Sequence, residues 1–517
     1  MTDPSTSSIR ATDNPLVETQ SSPCQHEVQT GSFHQEATVS RAKRHFFFSP
    51  LDQNLADAVH KDAERVQYTP EEERKVRRKI DNTVLPLVIV SESAQSLHGE
   101  HQTLIVNQFD RTNMSAITTN QKWTIALSIF YVGYCLLEMP ANIAGLGIKW
   151  SETGVLMGIG EAGYYAGVIY YLSFWYKRSE LAVRISLGMT GTLPGAVGGL
   201  LAFGLVRAQT SQLTGWQFLF LVEAIPTIIM GTVVLFLLPS FPFSASFLSP
   251  RERAIAQARL NRDHKPQSHG GMTGWQGFKA VIADPNAWLF MMIYASFNVG
   301  VATISYFLPT LIKDLGFSSI NAQGLTVAPY VVGWFMVYLQ SWHSDYTKDR
   351  GYHIMFSAAL SLIGYIILAT AVEKSVGAAY FALFLVVGGN YSLFPLVMSW
   401  AANTFSPTSK RGVGTAFVVS ISNCVSIASP QVYFDPEDSF RKGHAISAGC
   451  LALCILTAFV ARTRLHRMNK RNQNILQGSD SSASREEDGK GSSGNQDIKV
   501  EIEAEIWDND PRYVFLT

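Results

Sequence analysis

The sequence predicts an all-α membrane protein that crosses the bilayer many times. Of its 517 residues, 47% are hydrophobic and only 16% are charged, whereas about a quarter of the residues in soluble domains are charged. Residues 1–83 and 463–517 are polar, and the sequence between them is almost continuously apolar. Because one membrane-spanning helix needs about 20 apolar residues, this middle part has room for about ten to twelve of them. These observations exclude a soluble enzyme and a peripheral membrane protein.

The charge balance and the cysteine spacing exclude further classes of protein. The 41 basic and 41 acidic residues balance, so the sequence has no basic surplus for binding nucleic acid. Its five cysteines show no metal-binding spacing. Since the sequence also has no nucleophile motif and no phosphate-binding loop, we expect neither an enzyme nor a bound metal or cofactor. Residues 1–10 have no apolar core, which predicts that there is no cleaved signal peptide.

About ten stretches are long and apolar enough to cross the bilayer. The C-terminal half contains six that lack Asp, Glu, Lys and Arg: 285–312, 315–342, 353–372, 375–409, 412–434 and 443–461. The N-terminal half contains four, three of which carry a glutamate: 123–148, 153–176, 183–206 and 216–239. Basic residues recur in every second loop, and loops of this kind face the cytoplasm. We therefore expect both termini in the cytoplasm. The plasma membrane is the expected location, with the vacuolar membrane as the alternative.

Spans and polar segments together divide the chain into five parts. A cytoplasmic polar tail at 1–83 precedes an N-terminal helix bundle at 84–239, and a cytoplasmic loop at 240–284 leads to a C-terminal six-helix bundle at 285–462. Residues 463–517 are predicted to be a disordered cytoplasmic tail. Two bundles joined by a long loop are the organisation of secondary transporters. Of the about ten clear spans, four fall in the N-terminal bundle and six in the C-terminal one, so the N-terminal bundle is shorter than a matching six-helix bundle.

The charged run at 70–80, PEEERKVRRKI, has two interpretations. It is either a short helix on the membrane surface, where basic residues meet anionic lipid, or a solvated charge run.

Charged residues inside or beside a span are the first functional candidates, because they are costly unless they face a cavity. Glu161 lies about halfway along its span among four glycines, where a carboxylate can hold a proton. The alternative is a glutamate hydrogen-bonded where two helices pack together.

Arg111, next to Asp110, would bind a carboxylate with two hydrogen bonds if it lay at membrane depth. Polar residues upstream favour an aqueous loop instead. Glu138 lies near a span end, and we interpret it as structural or interfacial.

The C-terminal half offers a loop cluster and several amides. Asp345 and Arg350 lie in a basic loop. An ion pair between them would keep a transporter closed on one side of the membrane. A loop exposed to solvent is the simpler interpretation. Asn298 and Asn390, together with Tyr306, are candidates to line a polar pocket within uncharged spans. Amides also hold membrane helices together, so both interpretations stay open.

Several segments together resemble the major facilitator superfamily, and more narrowly the fungal allantoate permease group of its anion:cation symporter branch. The most specific run is GIGEAGYYAGVIYYLSFWYKRSELAVRI at 158–185. The other matching runs are RRKIDNTVLPL (77–87), FDRTNMSAI (109–117), FYVGYCLLEMPAN (130–142), GWQFLFLVEAIPTIIMG (215–231), SYFLPTLIKDLGFSSINAQGLTVAPY (305–330) and SWAANTFSPTSKRGVGTAFVVSISN (399–423). The likeness covers about 77–470 of the chain.

This resemblance implies the major facilitator fold, in which two helix bundles rock about a central site. It also implies proton-coupled uptake of a small organic anion, a carboxylate such as allantoate, nicotinate or pantothenate. Asp110 and Arg111 match the family's first-helix pair, Glu161 its fourth-helix glutamate, and Asp345 its loop acid after the eighth helix. The expected partners are the small anion, protons and the lipid bilayer, and we expect a monomer.

The chain departs from the family pattern in its N-terminal half. The apolar run expected before Asp110 is interrupted at 91–102, so the first helix is degenerate. Residues 143–159 are too short for the loop and the third helix that the family has there, and the usual arginine falls on Gly154. Three readings remain: a proton symporter, a non-transporting membrane sensor or binding protein, and an inactive truncated carrier.

Overall fold

Helices account for all of the regular structure in the described residues. The computed structural model describes residues 59, 62, 63, 65–108, 164–188, 192–205, 215–239, 241–263, 274–372, 374–433, 440–487, 508 and 513–517. Within them every regular element is an α-helix or a 3-10 helix, in agreement with the predicted all-α class. All of them belong to one compact unit at 51–517.

Seven α-helices precede residue 285 in the described chain. They are α1 (Pro70–Gln108), α2 (Tyr164–Ser173), α3 (Leu181–Gly188), α4 (Thr192–Leu205), α5 (Gly215–Leu237), α6 (Pro250–Asn261) and α7 (Gly274–Ile282). Helix α1 packs against α3, α4 and α5, and helix α4 packs against the C-terminal half.

Seven more α-helices form the C-terminal half. They are α8 (Pro285–Asp314), α9 (Ser319–Thr347), α10 (Gly351–Ala371), α11 (Val376–Thr404), α12 (Thr408–Asn423), α13 (Ser429–Val432) and α14 (Arg441–Glu487). Helix α10 packs between α11 and α14, and α9 packs between α11 and the N-terminal helix α4.

Small residues let α10 and α11 approach closely. A Cβ atom placed on Gly364 would lie 3.0 Å from the carbonyl oxygen of Ala382, and one on Gly389 would lie 2.7 Å from that of Ser357. Close backbone packing drives helix association in a bilayer, because lipid tails are as apolar as leucine side chains. These glycines therefore fix the spacing of the two helices that carry Asn390 and its partners.

Six helical segments in the described chain are long and apolar enough to cross a membrane. They are Arg178–Leu205, Pro285–Ser305, Asn321–Thr347, Gly351–Ala371, Val376–Thr404 and Arg441–Gln477. They coincide with predicted spans, whereas the predicted span 123–148 and most of 153–176 lie outside the described residues.

The predicted span at 412–434 is not one continuous α-helix. Helix α12 ends at Asn423, a 3-10 turn occupies Cys424–Ile427, and α13 follows at Ser429–Val432. Pro430 has no N–H to donate to the carbonyl one turn earlier, so an uninterrupted helix would lose a hydrogen bond there. This break lies opposite Asn298 in α8.

Three segments predicted as tails or loop are more ordered than expected. Residues 70–83 are the first turns of α1, with Val76 and Ile80 buried, rather than part of a polar tail. The helix continues through 91–102, because a polar stretch without proline still propagates a helix even where it is too polar to span a membrane. Loop 240–284 contains α6 and α7, and α6 begins with a capping box formed by Ser249 and Glu252.

The tail at 463–517 is also corrected in part. Helix α14 runs on to Glu487, since its arginine, lysine and glutamine residues are good helix formers. The segment Tyr513–Thr517 is docked against the helices with Tyr513 and Phe515 buried, because it is apolar enough to gain from burial.

Candidate functional site

The predicted site residues divide into described and undescribed ones. Asp110, Arg111 and Glu161 lie outside the described residues, so the structure says nothing of their positions. Tyr306 lies in helix α8, and its side chain is outside the described part as well. The other four are described. Asn298 and Asn390 lie in the C-terminal half, and Asp345 and Arg350 form an ion pair at one end of the protein.

Asn298 faces the break between α12 and α13. Its amide nitrogen donates to Asn423 Oδ1 at 3.0 Å and to Ser426 Oγ at 2.8 Å. All three side chains are buried. Broken helices in transporters bring polar backbone and side-chain groups to membrane depth, where substrates bind. This cluster, the α8–α12 amide cluster (Asn298, Asn423 and Ser426), therefore has donors and acceptors suited to a small polar ligand.

Asn390 is bound on all sides by neighbouring helices. Its Oδ1 accepts a hydrogen bond from Ser361 Oγ at 2.9 Å, and its Nδ2 donates to the Tyr365 hydroxyl at 3.3 Å. That hydroxyl in turn donates to the carbonyl oxygen of Gly300 at 3.0 Å. The arrangement joins α8, α10 and α11, so Asn390 makes the helix-to-helix contacts that the sequence left as one of its two interpretations. Tyr391 beside it hydrogen-bonds Ser305 in α8, with 2.7 Å between the two oxygens.

The structure brings Asp345 and Arg350 together as an ion pair. The Arg350 side chain is fully buried, and its guanidinium also donates to Ser344 Oγ at 2.9 Å. The loop is therefore not simply solvated, as the simpler interpretation had it. A buried ion pair loses its hydration and holds only where further hydrogen bonds satisfy both groups.

Those further bonds reach into the N-terminal half. Asp345 Oδ2 accepts a hydrogen bond at 2.9 Å from the backbone N–H of Val183, in the first turn of α3. The carbonyl oxygen of Arg178 accepts from Arg350 at 3.3 Å and from Asn403 Nδ2 at 3.0 Å. We name this contact between the halves the gate, and define it by Arg178, Val183, Asp345, Arg350 and Asn403. It lies at the end of the protein at which the basic loops meet, which we call the basic end.

A second set of ion pairs ties the start of α1 to the same end. The pairs between separate elements are Arg77–Glu180 at 3.2 Å, Arg184–Asp81 at 3.1 Å, Lys79–Glu252 at 2.8 Å and Arg251–Glu72 at 3.0 Å, with Arg259–Glu180 and Lys177–Glu73 beside them. The charged run at 70–80 therefore binds α6 and the turn before α3. It is not an isolated solvated run.

Sequence reasoning missed the N-terminal side of the gate. The groups that Asp345 and Arg350 contact there are a backbone N–H and a backbone carbonyl, which any residue type supplies. Neither Val183 nor Arg178 could have been identified from its side chain. Asn403 carried a signal as an amide in an uncharged stretch, although nothing in the sequence linked it to the loop acid.

Apolar helices with a broken helix beside buried amide groups are features that secondary transporters share. The Major Facilitator Superfamily family model matches residues 120–430. The MFS-type transporter efuF of Hormonema carpetanum is 31% identical over 68% of this chain and 77% of its own length. A putative tartrate transporter of Agrobacterium vitis is 28% identical over 78% of this chain and 95% of its own.

A comparison with solved structures gives the same fold. The proton:xylose symporter XylE, solved with 6-bromo-6-deoxy-D-glucose, superposes with a TM-score of 0.52 at 15% identity, covering 75% of this chain and 95% of that one. The chain belongs to the Major Facilitator Superfamily and has its fold of two helix bundles.

Proposed function

We propose that this transporter is a proton symporter for a small organic anion, a carboxylate, and that it works by alternating access. The observation that carries the proposal is the gate, a buried contact between the two halves that has to break before the basic end can open. Relatedness to a protein named as a putative tartrate transporter supports a carboxylate as the substrate class. Within the superfamily, the quoted motifs favour the allantoate permease group.

In this proposal the basic end faces the cytoplasm, as its arginines and lysines favour. A closed basic end then belongs to the state in which substrate enters from the outside. Release into the cytoplasm requires Val183 to lose Asp345, and Arg178 to lose both Arg350 and Asn403. Each of these bonds is short-range, so a small rotation of one bundle against the other breaks all of them together.

The substrate site in this proposal combines groups from both halves. Asn298 in the α8–α12 amide cluster would exchange its bond to Ser426 for one to a carboxylate oxygen, and Arg111 would bind a carboxylate with two parallel hydrogen bonds. Glu161 would carry the proton, because a carboxyl inside a span is stable in the neutral form and must lose its proton on the cytoplasmic side. Two or three such contacts suffice to orient a small anion.

Uptake in a host lacking its own carboxylate carriers tests the proposal. We expect labelled tartrate, nicotinate or allantoate to accumulate, and a protonophore to abolish the accumulation. Glu161→Gln should remove accumulation while leaving membrane expression intact, whereas Glu138→Gln, the matched control, should retain it. Uptake that ignores the proton gradient would contradict the symport, and ligand-dependent signalling without net flux would support a membrane sensor.

A further inference from the structure

A short extended segment lies against the gate residues Arg178, Arg350 and Asn403. Tyr513–Thr517 runs across the basic end, and all five of its residues are described. Tyr513 is 5% exposed and Phe515 is 2% exposed, while Val514 between them is 60% exposed. Alternate residues thus point into the protein, as in an extended peptide held against a surface.

The two buried aromatic residues are the anchors of the segment. Their rings pack edge to face with centroids 4.9 Å apart. The Tyr513 hydroxyl donates to the carbonyl oxygen of Asn403, a gate residue, at 2.6 Å. Buried aromatic anchors carry most of the binding energy in protein interfaces, so the segment is seated in a formed site.

Backbone hydrogen bonds fix the register of the segment. Asn469 in α14 donates to the Phe515 carbonyl at 2.8 Å and accepts from the Phe515 N–H at 2.9 Å. Trp400 Nε1 donates to the Leu516 carbonyl at 2.7 Å, and the backbone N–H of the gate residue Arg350 donates to the Thr517 carbonyl at 2.8 Å. These partners all belong to the C-terminal half.

One residue of the N-terminal half completes the site. The Arg178 guanidinium lies 5.3 Å from the centre of the Tyr513 ring, and Arg178 Nη1 donates to the Val514 carbonyl at 3.2 Å. The same residue supplies the backbone carbonyl at which Arg350 and Asn403 cross the gate. The segment therefore bridges the two halves at the point where they have to separate.

An ion pair reinforces the attachment just before the segment. Asp508 Oδ2 lies 2.5 Å from Lys410 Nζ, which also pairs with Asp284 at 2.8 Å. Burial opposes the charged form of Lys410, but the two carboxylates outweigh burial and raise its pKa. The lysine therefore stays charged and holds Asp508 near the helix ends.

We propose that the basic end contains a peptide-binding site of its own, and that its occupant is the segment Tyr513–Thr517, which latches the gate shut. The site takes an extended peptide with two aromatic residues separated by one exposed residue. While the latch is docked, Arg178 is tied to α11 and α14 through the peptide, in addition to its direct contacts with Arg350 and Asn403. Opening of the basic end then requires the latch to leave first.

This inference rests on the proposed alternating access, so its test uses a readout that needs no substrate. Hydrogen–deuterium exchange of the full chain in lipid nanodiscs follows two segments. Residues 513–517 report docking of the latch. Residues 181–188 report the gate, because the Val183 N–H is bonded across it to Asp345.

The test compares variants of the latch with a matched control. Tyr513→Ala/Phe515→Ala removes both anchors and is expected to speed exchange at 181–188 about tenfold, since loss of buried aromatic anchors weakens a contact by at least that factor. Val514→Ala, in the same segment but exposed, should exchange like the wild type. Asn469→Ala leaves the segment itself unchanged and should act in the same direction as the double variant.

A synthetic peptide with the sequence of residues 508–517, added to the double variant, should restore protection at 181–188, and a scrambled peptide should not. If residues 513–517 are released while 181–188 remain as protected as in the wild type, the segment is not a latch. If the gate opens but no carboxylate is carried by any variant, the latch stands and the proposed transport fails.

Discussion

The substitution Asp345→Ala tests whether the gate holds the two halves together. It removes the acceptor that binds the Val183 N–H at 2.9 Å across the gate, and it takes the partner from a fully buried Arg350. Its neighbour Asp349 makes a less buried ion pair with Arg462 at 3.0 Å. That pair lies within the C-terminal half, so Asp349→Ala is the matched control.

The magnitude follows from the bonds that cross between the halves. A hydrogen bond to a charged acceptor contributes about 1.5–3 kcal/mol, which corresponds to a factor of about 10 to 150 in the open-to-closed equilibrium. The true shift should be at or above this range, because Arg350 would be left buried without its carboxylate in the closed state and would regain water in the open one.

Hydrogen–deuterium exchange at residues 184–188 measures that shift, because the Val183 N–H loses its acceptor in this variant whether or not the halves separate. We expect faster exchange by about 10-fold or more for Asp345→Ala, and wild-type exchange for Asp349→Ala even if its thermal stability falls. The double variant Asp345→Ala/Arg350→Ala should destabilise the closed state by less than the summed free-energy changes of the two single variants, because the two residues act as one pair. Equal exchange in Asp345→Ala and Asp349→Ala would refute the gate.

Three further outcomes are expected from other parts of the structure. Gly389→Ala should lower the melting temperature through about 1–3 kcal/mol of overpacking, whereas Gly377→Ala, with nothing within 4 Å of its added Cβ atom, should not. Glu180→Gln should lower the free energy of unfolding by about 3–5 kcal/mol, because the buried Arg259 then keeps only its longer contact with Glu73 at 3.7 Å. The more exposed Glu252→Gln should lower it by at most about 1 kcal/mol. In uptake assays, Asn298→Ala should raise the apparent KM about tenfold, as loss of a hydrogen bond to a charged ligand does, and leave protein levels unchanged.

Hydropathy predicted most of the described fold because burial in lipid leaves a strong and local signal. Five of the six C-terminal stretches without charges coincide with helices α8, α9, α10, α11 and α14. The sixth did not, since the break after Asn423 arises from a proline and a 3-10 turn inside an otherwise apolar run. Polar segments were harder, because their order depends on partners far along the chain. The charged start of α1 is fixed by Glu180 and by α6, which no local pattern reveals.

The candidate site was predictable only where a side chain carries the chemistry. The charges of Asp345 and Arg350 allowed an ion pair beside the simpler interpretation of a solvated loop, and the structure puts the two residues in contact. Their partners across the gate are backbone groups without a sequence signature. The docked segment was missed for a related reason: YVFLT is too short to stand out in a polar tail, and its value lies in a site assembled from Arg178, Trp400 and Asn469.

Proton movement driven by substrate is the most direct test of carboxylate symport. The protein is reconstituted in liposomes that contain a pH-sensitive dye, and tartrate, nicotinate or allantoate is added outside without any imposed gradient. The account predicts that the lumen acidifies with the transported anion, and that Glu161→Gln liposomes show no acidification. Entry of a labelled anion without a change in lumenal pH would contradict proton coupling, and the absence of entry for every carboxylate tested would contradict the proposed substrate class.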